Sequence, residues 1–449
     1  MPTLFAGIDA GKTHHHCVVI DTAGTKLLSR RFRNTEPDIL TLIGDVHQLI
    51  TPETDAAADP DEGDGDEVVW ATDLNHGGAS LLLTVLEAHG QVAIYIPGRM
   101  IHFAARSYRG DGKTDAKDAA VIADQARMRR DLHPNTPATP EAIELRMLTD
   151  RRGDLVRDRT RAINRLRQLL LEIFPALEQA FDYASRRAAL LLLTKYQTPG
   201  VIRRAGVARI ASWLRARGAR YTTQVATRAV EAAQQQYTTV AGEQHIAAMI
   251  AELADDALRL SERTEQLDGR ITEAVERNEQ ATLLTSMPGF GSLLAAEFVA
   301  ASGGNVLLLA KADRLAGVCG LAPVSKDSGT ISGNRHRPRR YDRRMLRTCY
   351  ISAQTAARVC PQSSAYYQRK RGEGKSHVQA VLCLARRRIN VIFAMLRDNR
   401  TFQTDHHAGA QHRDGLAPGT PDSGFSDAPA CESPRPTGRR RADLVGVGG

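Results

Sequence analysis

Long apolar runs are missing from this sequence. Spanning the hydrocarbon core of a bilayer takes roughly 20 consecutive apolar residues, and runs such as AALLLL (188–193) fall far short, which excludes a helical membrane protein. The first residues, MPTLFAGIDAGK, carry no basic segment ahead of a long apolar core, so no signal peptide is expected. Cysteine is sparse. Cys17, Cys319, Cys349, Cys360, Cys383 and Cys431 form no CxxC and no regular spacing, which argues against a disulfide framework and suits free thiols in a reducing cytoplasm. Acidic residues are scarce in one region. Residues 281–400 hold 20 Lys and Arg against 6 Asp and Glu, a balance of +14 in a chain whose net charge is +9. A region this basic suits a polyanionic partner, most simply nucleic acid. Residues 53–67 invert the pattern, with eight acids and no base.

The chain has 449 residues, 42% of them apolar, enough for two or three domains with sizeable cores. LFAGI (4–8) reads as a buried strand ending at Asp9, and HHHCVVID (14–21) as a second strand before the turn signal DTAGTK. The acidic stretch 52–67 reads as a disordered insertion loop. VVWAT (68–72) is a strand ending at Asp73; GASLLLTVLEAHG is a helix closed by Gly90, and QVAIYIPG a strand stopped by Pro97. A short helix through Phe103 and Tyr108 follows. Strands alternating with helices predict an α/β domain with a partly parallel sheet over residues 1–135.

After the break HPNTPATP (133–140) the periodicity changes. Leu148, Leu155, Ala162, Leu166, Leu169 and Ile173 recur at helical steps, as do Ile246, Ile250, Leu253, Ala257, Leu260, Leu267, Ile271 and Ala274. These seams predict an antiparallel coiled-coil arm over 141–280, with TPGVIRRAGVARIASWLRARG (198–218) as a small helical tip. Residues 281–400 read as a further helical domain. Within it, MPGFG (287–291) forms a tight turn resembling that of a helix-hairpin-helix unit, with Gly289 and Gly291 placing backbone N–H groups at a phosphate. Residues 402–449 read as a disordered tail.

The stretch GDGKTDAKDAAVIADQ (110–125) sets Asp111, Asp115, Asp118 and Asp124 among two lysines. Thr114 suits an N-cap, and acids in a first helical turn suit the helix dipole. Asp115 and Asp118 are three apart and share a face. Asp9 and Asp73 end two strands, and ligands of parallel α/β sheets bind beyond the carboxyl ends of strands. Carboxylates gathered at one edge repel unless a cation neutralises them. All-oxygen donors suit Mg²⁺ or Mn²⁺, and a pair of such ions serves phosphodiester chemistry. HHHC (14–17) is a weaker metal candidate, because alternate strand residues face opposite ways and at most two of the four converge. Strand-surface histidines near nucleic acid are expected instead.

GIDAGK, WATD, YIPG and YRGDGKTDAKDA resemble the four-acid DEDD domain of the insertion sequence one-ten family of transposases. YQTPGVIRRAGVARIASWL, MPGFGSLLAAEF, GLAPVSKDSG and AYYQRKRGEGK extend the resemblance, in order, over most of residues 4–400. It implies a ribonuclease H-like, RuvC-like fold for the N-terminal domain and Asp9, Asp73, Asp115 and Asp118 as ligands of Mg²⁺ or Mn²⁺. The family's second acid is usually Glu; Asp73 is one carbon shorter, and Glu67 is the alternative. Asp111 and Asp124 are expected to be ordinary solvated helix charges.

The resemblance also implies that Ser328, followed by Gly329, is a nucleophile that bonds covalently to DNA. A serine hydroxyl needs activation, which the four-acid site would supply. Arg335, Arg337, Arg339 and Arg340 would hold the scissile phosphate, since guanidinium matches phosphate oxygens. The implied protein is a cytoplasmic, nucleoid-associated bacterial enzyme acting on element ends and target DNA. A structured guide RNA is the implied further partner, and a homodimer or homotetramer the implied assembly. Three other readings compete, one of them a degenerate, inactive nucleic-acid-binding remnant, against which the presence of all four acids and the serine argues. Another is a RuvC-like metal nuclease, or junction resolvase, that uses water. The third is an actin-like ATPase, suggested by GIDAGKT but lacking a second glycine-rich phosphate loop.

Overall fold

The computed structural model describes residues 4–50, 68–108, 112, 114–129, 132, 138–329, 333, 335–336 and 338–403. The acidic stretch 52–67 and residues 404–449 of the expected tail lie outside the described residues. The chain separates into two compact units, Met1–Pro137 and Ala138–Gly449.

The first unit runs β1 (Leu4–Ala10), β2 (His14–Ile20), β3 (Lys26–Arg33), α1 (Glu36–Gln48), β4 (Val68–Thr72), α2 (Ser80–Ala88), β5 (Ala93–Tyr95), α3 (Gly98–Ala105) and α4 (Asp115–Met128). Its sheet has the order β3-β2-β1-β4-β5. β1, β2 and β3 pair antiparallel, while β4 runs parallel to both β1 and β5. This mixed sheet is compatible with a ribonuclease H-like fold. Side chains alternate between its two faces. Leu4, Ala6, Ile8, Cys17, Val19, Val68 and Trp70 pack with α1 and α2 on one face. Val18, Ile20, Ala71, Ala119, Ala123 and Ile122 build the opposite face with α3 and α4.

Gly7 sets how closely α4 approaches. A Cβ there would lie 2.2 Å from the Ala123 nitrogen and 2.3 Å from the Ala119 carbonyl oxygen, both helix backbone. Only glycine admits this approach. Gly7→Ala is therefore expected to destabilise the purified chain by about 3 kcal/mol in chemical denaturation, the upper range for overpacking a core. An unchanged denaturation midpoint would mean that α4 has room to shift.

The second unit begins with α5 (Pro140–Ile173), α6 (Pro175–Ala180), α7 (Arg187–Leu193), α8 (Pro199–Arg215), α9 (Thr222–Gln234) and α10 (Glu243–Arg277). It continues through α11 (Glu279–Thr285), α12 (Ser292–Ser302), α13 (Ala312–Val318), β6 (Val324–Ser325), β7 (Arg335–His336), α14 (Arg343–Val359), α15 (Pro361–Gly372) and α16 (His377–Asp398). α5 and α10 run antiparallel. Glu144 meets Arg277 at 2.8 Å, Arg152 pairs with Asp268, and Arg159 donates to the Ser261 hydroxyl at 2.7 Å. Leu148, Leu155, Ala162, Leu166, Ile250, Ala257, Leu267 and Ile271 are buried along this seam. One end of the pair packs with α6 to α9. The other shares a core with α11 to α16, so no break in packing falls at residue 280.

Candidate active site

Three strands and one helix converge at the edge where β1 and β4 end. Ile8 pairs with Thr72 across the parallel β1–β4 ladder, so Asp9 and Asp73 are neighbours one step further on. Alternation puts both on the α4 face: Asp9 follows Gly7, and Asp73 follows Ala71, whose side chain belongs to that core. His16 lies opposite Asp9 in the β1–β2 register. Thr114 caps α4, its hydroxyl accepting from the Lys117 backbone N–H at 3.2 Å. The helix therefore starts at Asp115 and carries Asp115 and Asp118 in its first turn.

Charge links these residues. Burial raises the Asp73 carboxyl above its ordinary range; a long hydrogen bond from the Ala10 N–H, at 3.5 Å, opposes this, and the Asp118 charge adds to it. On the other side of β1, burial lowers the His16 imidazole while the Asp115 charge pulls it upward. The first turn of α4 thus acts on both sides of β1, Asp115 on His16 of β2 and Asp118 on Asp73 beyond β4. Tyr95 also senses the corner, its phenol raised first by burial and then by Asp73.

The donor set fits a hard divalent cation in kind, because every candidate is a carboxylate and Asp73 bears the cost of a half-buried charge beside another acid. Among the described residues, no group of three or more His, Cys, Asp or Glu side chains is placed to hold a metal ion. Glu67 and Asp111 lie outside the described residues.

Two neighbours depart from expectation. Asp124 is not a solvated charge. It accepts from the Tyr108 hydroxyl at 2.5 Å and pairs with Arg127 at 2.6 Å, and burial with this bond pushes the Tyr108 phenol up to about 12. His15 is not on the surface. It is buried against Phe32, with ring centroids 5.2 Å apart, and burial lowers its imidazole. His16 is the histidine that reaches the site, and the two-residue alternation of β2 is the signal that identifies it.

In the second unit, β6 and β7 form a two-stranded ribbon, Val324 opposite His336 and Ser325 opposite Arg335. Ser328 is exposed in the segment that joins them. Arg339 and Arg340 are exposed just beyond, and no ion pair engages them among the described residues. Arg337, Ser332 and the Arg335 side chain lie outside the described residues. The arginines that follow do have partners: Arg344 pairs with Asp150 at 2.8 Å, and Arg347 with Glu297.

MPGFG does form a turn between α11 and α12, but the structure ties Gly289 to packing. With φ at +89°, its missing Cβ faces α14, 2.4 Å from the Ser352 carbonyl oxygen. The buried Arg388 donates to the Pro288 carbonyl at 2.6 Å and the Ser352 hydroxyl at 2.8 Å, and burial lowers its guanidinium to about 10. Gly291 is exposed at the N-cap of α12.

Residues 6–175 match the DEDD transposase family of IS110, and residues 281–368 match the IS116/IS110/IS902 transposase family. The chain is similar to the 42 kDa protein of insertion element IS900 from Mycobacterium paratuberculosis, 53% identical over 399 residues that cover 89% of this chain and 97% of that protein. It is 46% identical over 399 residues to the 44.8 kDa protein of IS116 from Streptomyces clavuligerus, covering 89% and 96%. With the 43.6 kDa protein of IS110 from Streptomyces coelicolor it shares 33% over 410 residues, covering 91% and 97%.

Proposed function

Because this chain belongs to the IS110 family of transposases, we propose that it cuts and rejoins DNA through a composite site of four carboxylates and one serine. Asp9, Asp73, Asp115 and Asp118 hold Mg²⁺ or Mn²⁺, and Ser328 is the nucleophile. The observation that supports this reading is Asp9 beside Asp73 one step beyond the β1–β4 ladder, with the Asp118 charge of the first turn of α4 acting on Asp73. A bound divalent cation would neutralise these acids and polarise the scissile phosphodiester.

The chain's own groups do the rest. Exposure on the β6–β7 ribbon lets the Ser328 hydroxyl reach a DNA strand. Its Oγ–P bond forms as the P–O3′ bond breaks, leaving a phosphoserine on the 5′ side and a 3′-hydroxyl that takes up the proton. A 3′-hydroxyl from another end reverses the step and regenerates serine. Arg335, Arg337, Arg339 and Arg340 orient the phosphate. A structured RNA from the element's non-coding end selects donor and target by base pairing. Strand exchange requires several such sites at once, hence a dimer or tetramer. No described helix is long and apolar enough to cross a membrane.

The test is a denatured reaction with element-end DNA. Protein bound to a 5′-phosphate supports serine attack; nicked DNA with no adduct would make water the nucleophile and the chain a RuvC-like nuclease.

The arginines give a separate prediction. Replacing Arg337, Arg339 and Arg340 by Ala should flatten the salt dependence of DNA affinity. Each lost phosphate contact removes about 0.9 from the slope of log K against log salt on a B-form duplex. An unchanged slope in fluorescence anisotropy would place these side chains off the DNA path.

A further inference from the structure

The helical insert between α5 and α10 carries a concentration of charge that the reaction above does not use. From Arg186 to Val230 the chain has ten Lys and Arg and no Asp or Glu, a balance of +10 in 45 residues. That is a denser excess than the +14 spread over residues 281–400. Among the described residues, Arg187 is the one member with a carboxylate partner, Glu262 at 3.1 Å. Arg203 turns inward, to the carbonyls of Ala233 and Gln236. Arg204, Arg209, Arg215, Arg217 and Arg220 are exposed.

On the two long helices that flank the insert, by contrast, several arginines are neutralised locally. Arg157 pairs with Asp154 at 2.5 Å, Arg161 pairs with Asp158, and Arg259 with Asp256 at 2.7 Å. A merely solvated helix face would look like that, with signs interspersed. Ten like charges without internal neutralisation instead repel one another in the folded state.

The insert also fixes some of these cations in place. α8 breaks at Gly206, where φ is +68°, and its second half carries Arg209 and Trp213 one turn apart, with Arg217 one further turn along. The Arg217 guanidinium stacks over the Trp213 ring at 4.1 Å, and the Lys195 ammonium lies 5.5 Å from the same ring. Stacking holds the two side chains without removing their charge. Trp213, occupied this way, does not serve as a base-stacking platform, which points to the backbone of the nucleic acid rather than its bases.

We propose that this insert is a second nucleic-acid contact surface, one that binds the phosphodiester backbone of a duplex outside the cleavage site. The inference rests on the reading of the chain as a transposase that handles DNA and structured RNA. Both polymers present the same chemistry, so the experiment includes each.

Full-length protein is titrated by fluorescence anisotropy, across a salt series, with a DNA duplex and with an RNA duplex of the same length. The test variant carries Arg204→Gln, Arg209→Gln, Arg215→Gln and Arg220→Gln. The control carries Arg157→Gln, Arg161→Gln, Arg259→Gln and Arg277→Gln, the same charge change at arginines that have acidic partners. The test variant is expected to flatten the slope of log K against log salt by about 3.6 on at least one duplex if all four arginines make contact, at about 0.9 per contact on B-form DNA, while the control leaves it unchanged. Flattening on one duplex alone assigns the source. Equal slopes for the test variant and the unsubstituted chain on both duplexes overturn the proposal, as does equal flattening by the control, which would reduce the effect to net charge. Adduct formation, measured on the same preparations, reports separately on the composite site: its failure in the unsubstituted chain would not alter the binding slopes.

Discussion

Ser328→Ala protein, incubated with element-end DNA and Mg²⁺ and then denatured, is expected to carry no DNA, whereas the unsubstituted chain carries a covalent 5′-phosphate. Strand exchange should fall by at least about 10⁴-fold, the scale of losing a catalytic nucleophile. Binding of DNA and of Mg²⁺ should stay intact, because Ser328 is an exposed ribbon residue outside the candidate carboxylate set. Ser325 and Ser332 are the controls from the same segment. Their replacement by Ala should be tolerated, Ser325 because its part in the ribbon is the backbone pairing with Arg335. Residual nicking by Ser328→Ala at a useful rate, with no adduct from any variant, would give the attack to water. An adduct that maps to Ser325 or Ser332 would keep the chemistry and move the nucleophile.

Much of the carboxylate corner was legible in the sequence, for a physical reason. Strand ends and a capped helix start are local features: Asp9 and Asp73 follow short apolar runs, and Thr114 precedes two acids three apart. Strand alternation also separates His16 from the buried His15, a distinction that an expectation of surface histidines along HHHC does not draw. The close approach that brings α4 to β1 was not legible. It depends on Gly7 meeting Ala119 and Ala123, more than a hundred residues later, and a glycine in a strand does not announce its partner. The same holds for Asp124, whose charge looks solvated until Tyr108 and Arg127 fold over it. MPGFG read as a turn because Pro and Gly act locally. That Gly289 faces the α14 backbone and Arg388 clasps the Pro288 carbonyl depends on residues some 60 to 100 positions away. The charge of the helical insert was legible by counting alone, yet it is masked when the span is averaged with α10, where nine acids outnumber four bases.

Asp73→Asn, Asp115→Ala and Asp118→Ala should each abolish recombination, by roughly 10²–10³-fold or more, as expected when a group that balances transition-state charge is lost. Glu67→Gln should be mild; the reverse ranking of Glu67 and Asp73 would mean that the second acid was misplaced. Stability should move the other way. The folded Asp73 carboxyl is raised, first by burial and further by Asp118, so over the window between its unfolded and folded titrations the native state holds a proton that the unfolded chain releases. Stability that this proton provides is complete below the unfolded pKa and is lost as pH rises through the folded one. At pH above the folded titration and without divalent ions, the unsubstituted chain therefore keeps a half-buried charge, and Asp73→Asn should melt at the same temperature or higher. Adding Mg²⁺ reverses the ranking, because a ligand that binds only the native state stabilises it by mass action. The unsubstituted chain should gain melting temperature with Mg²⁺, and the Asn variant little or none. If Mg²⁺ shifts neither protein, or shifts both equally while recombination survives the substitutions, these carboxylates do not hold the cation.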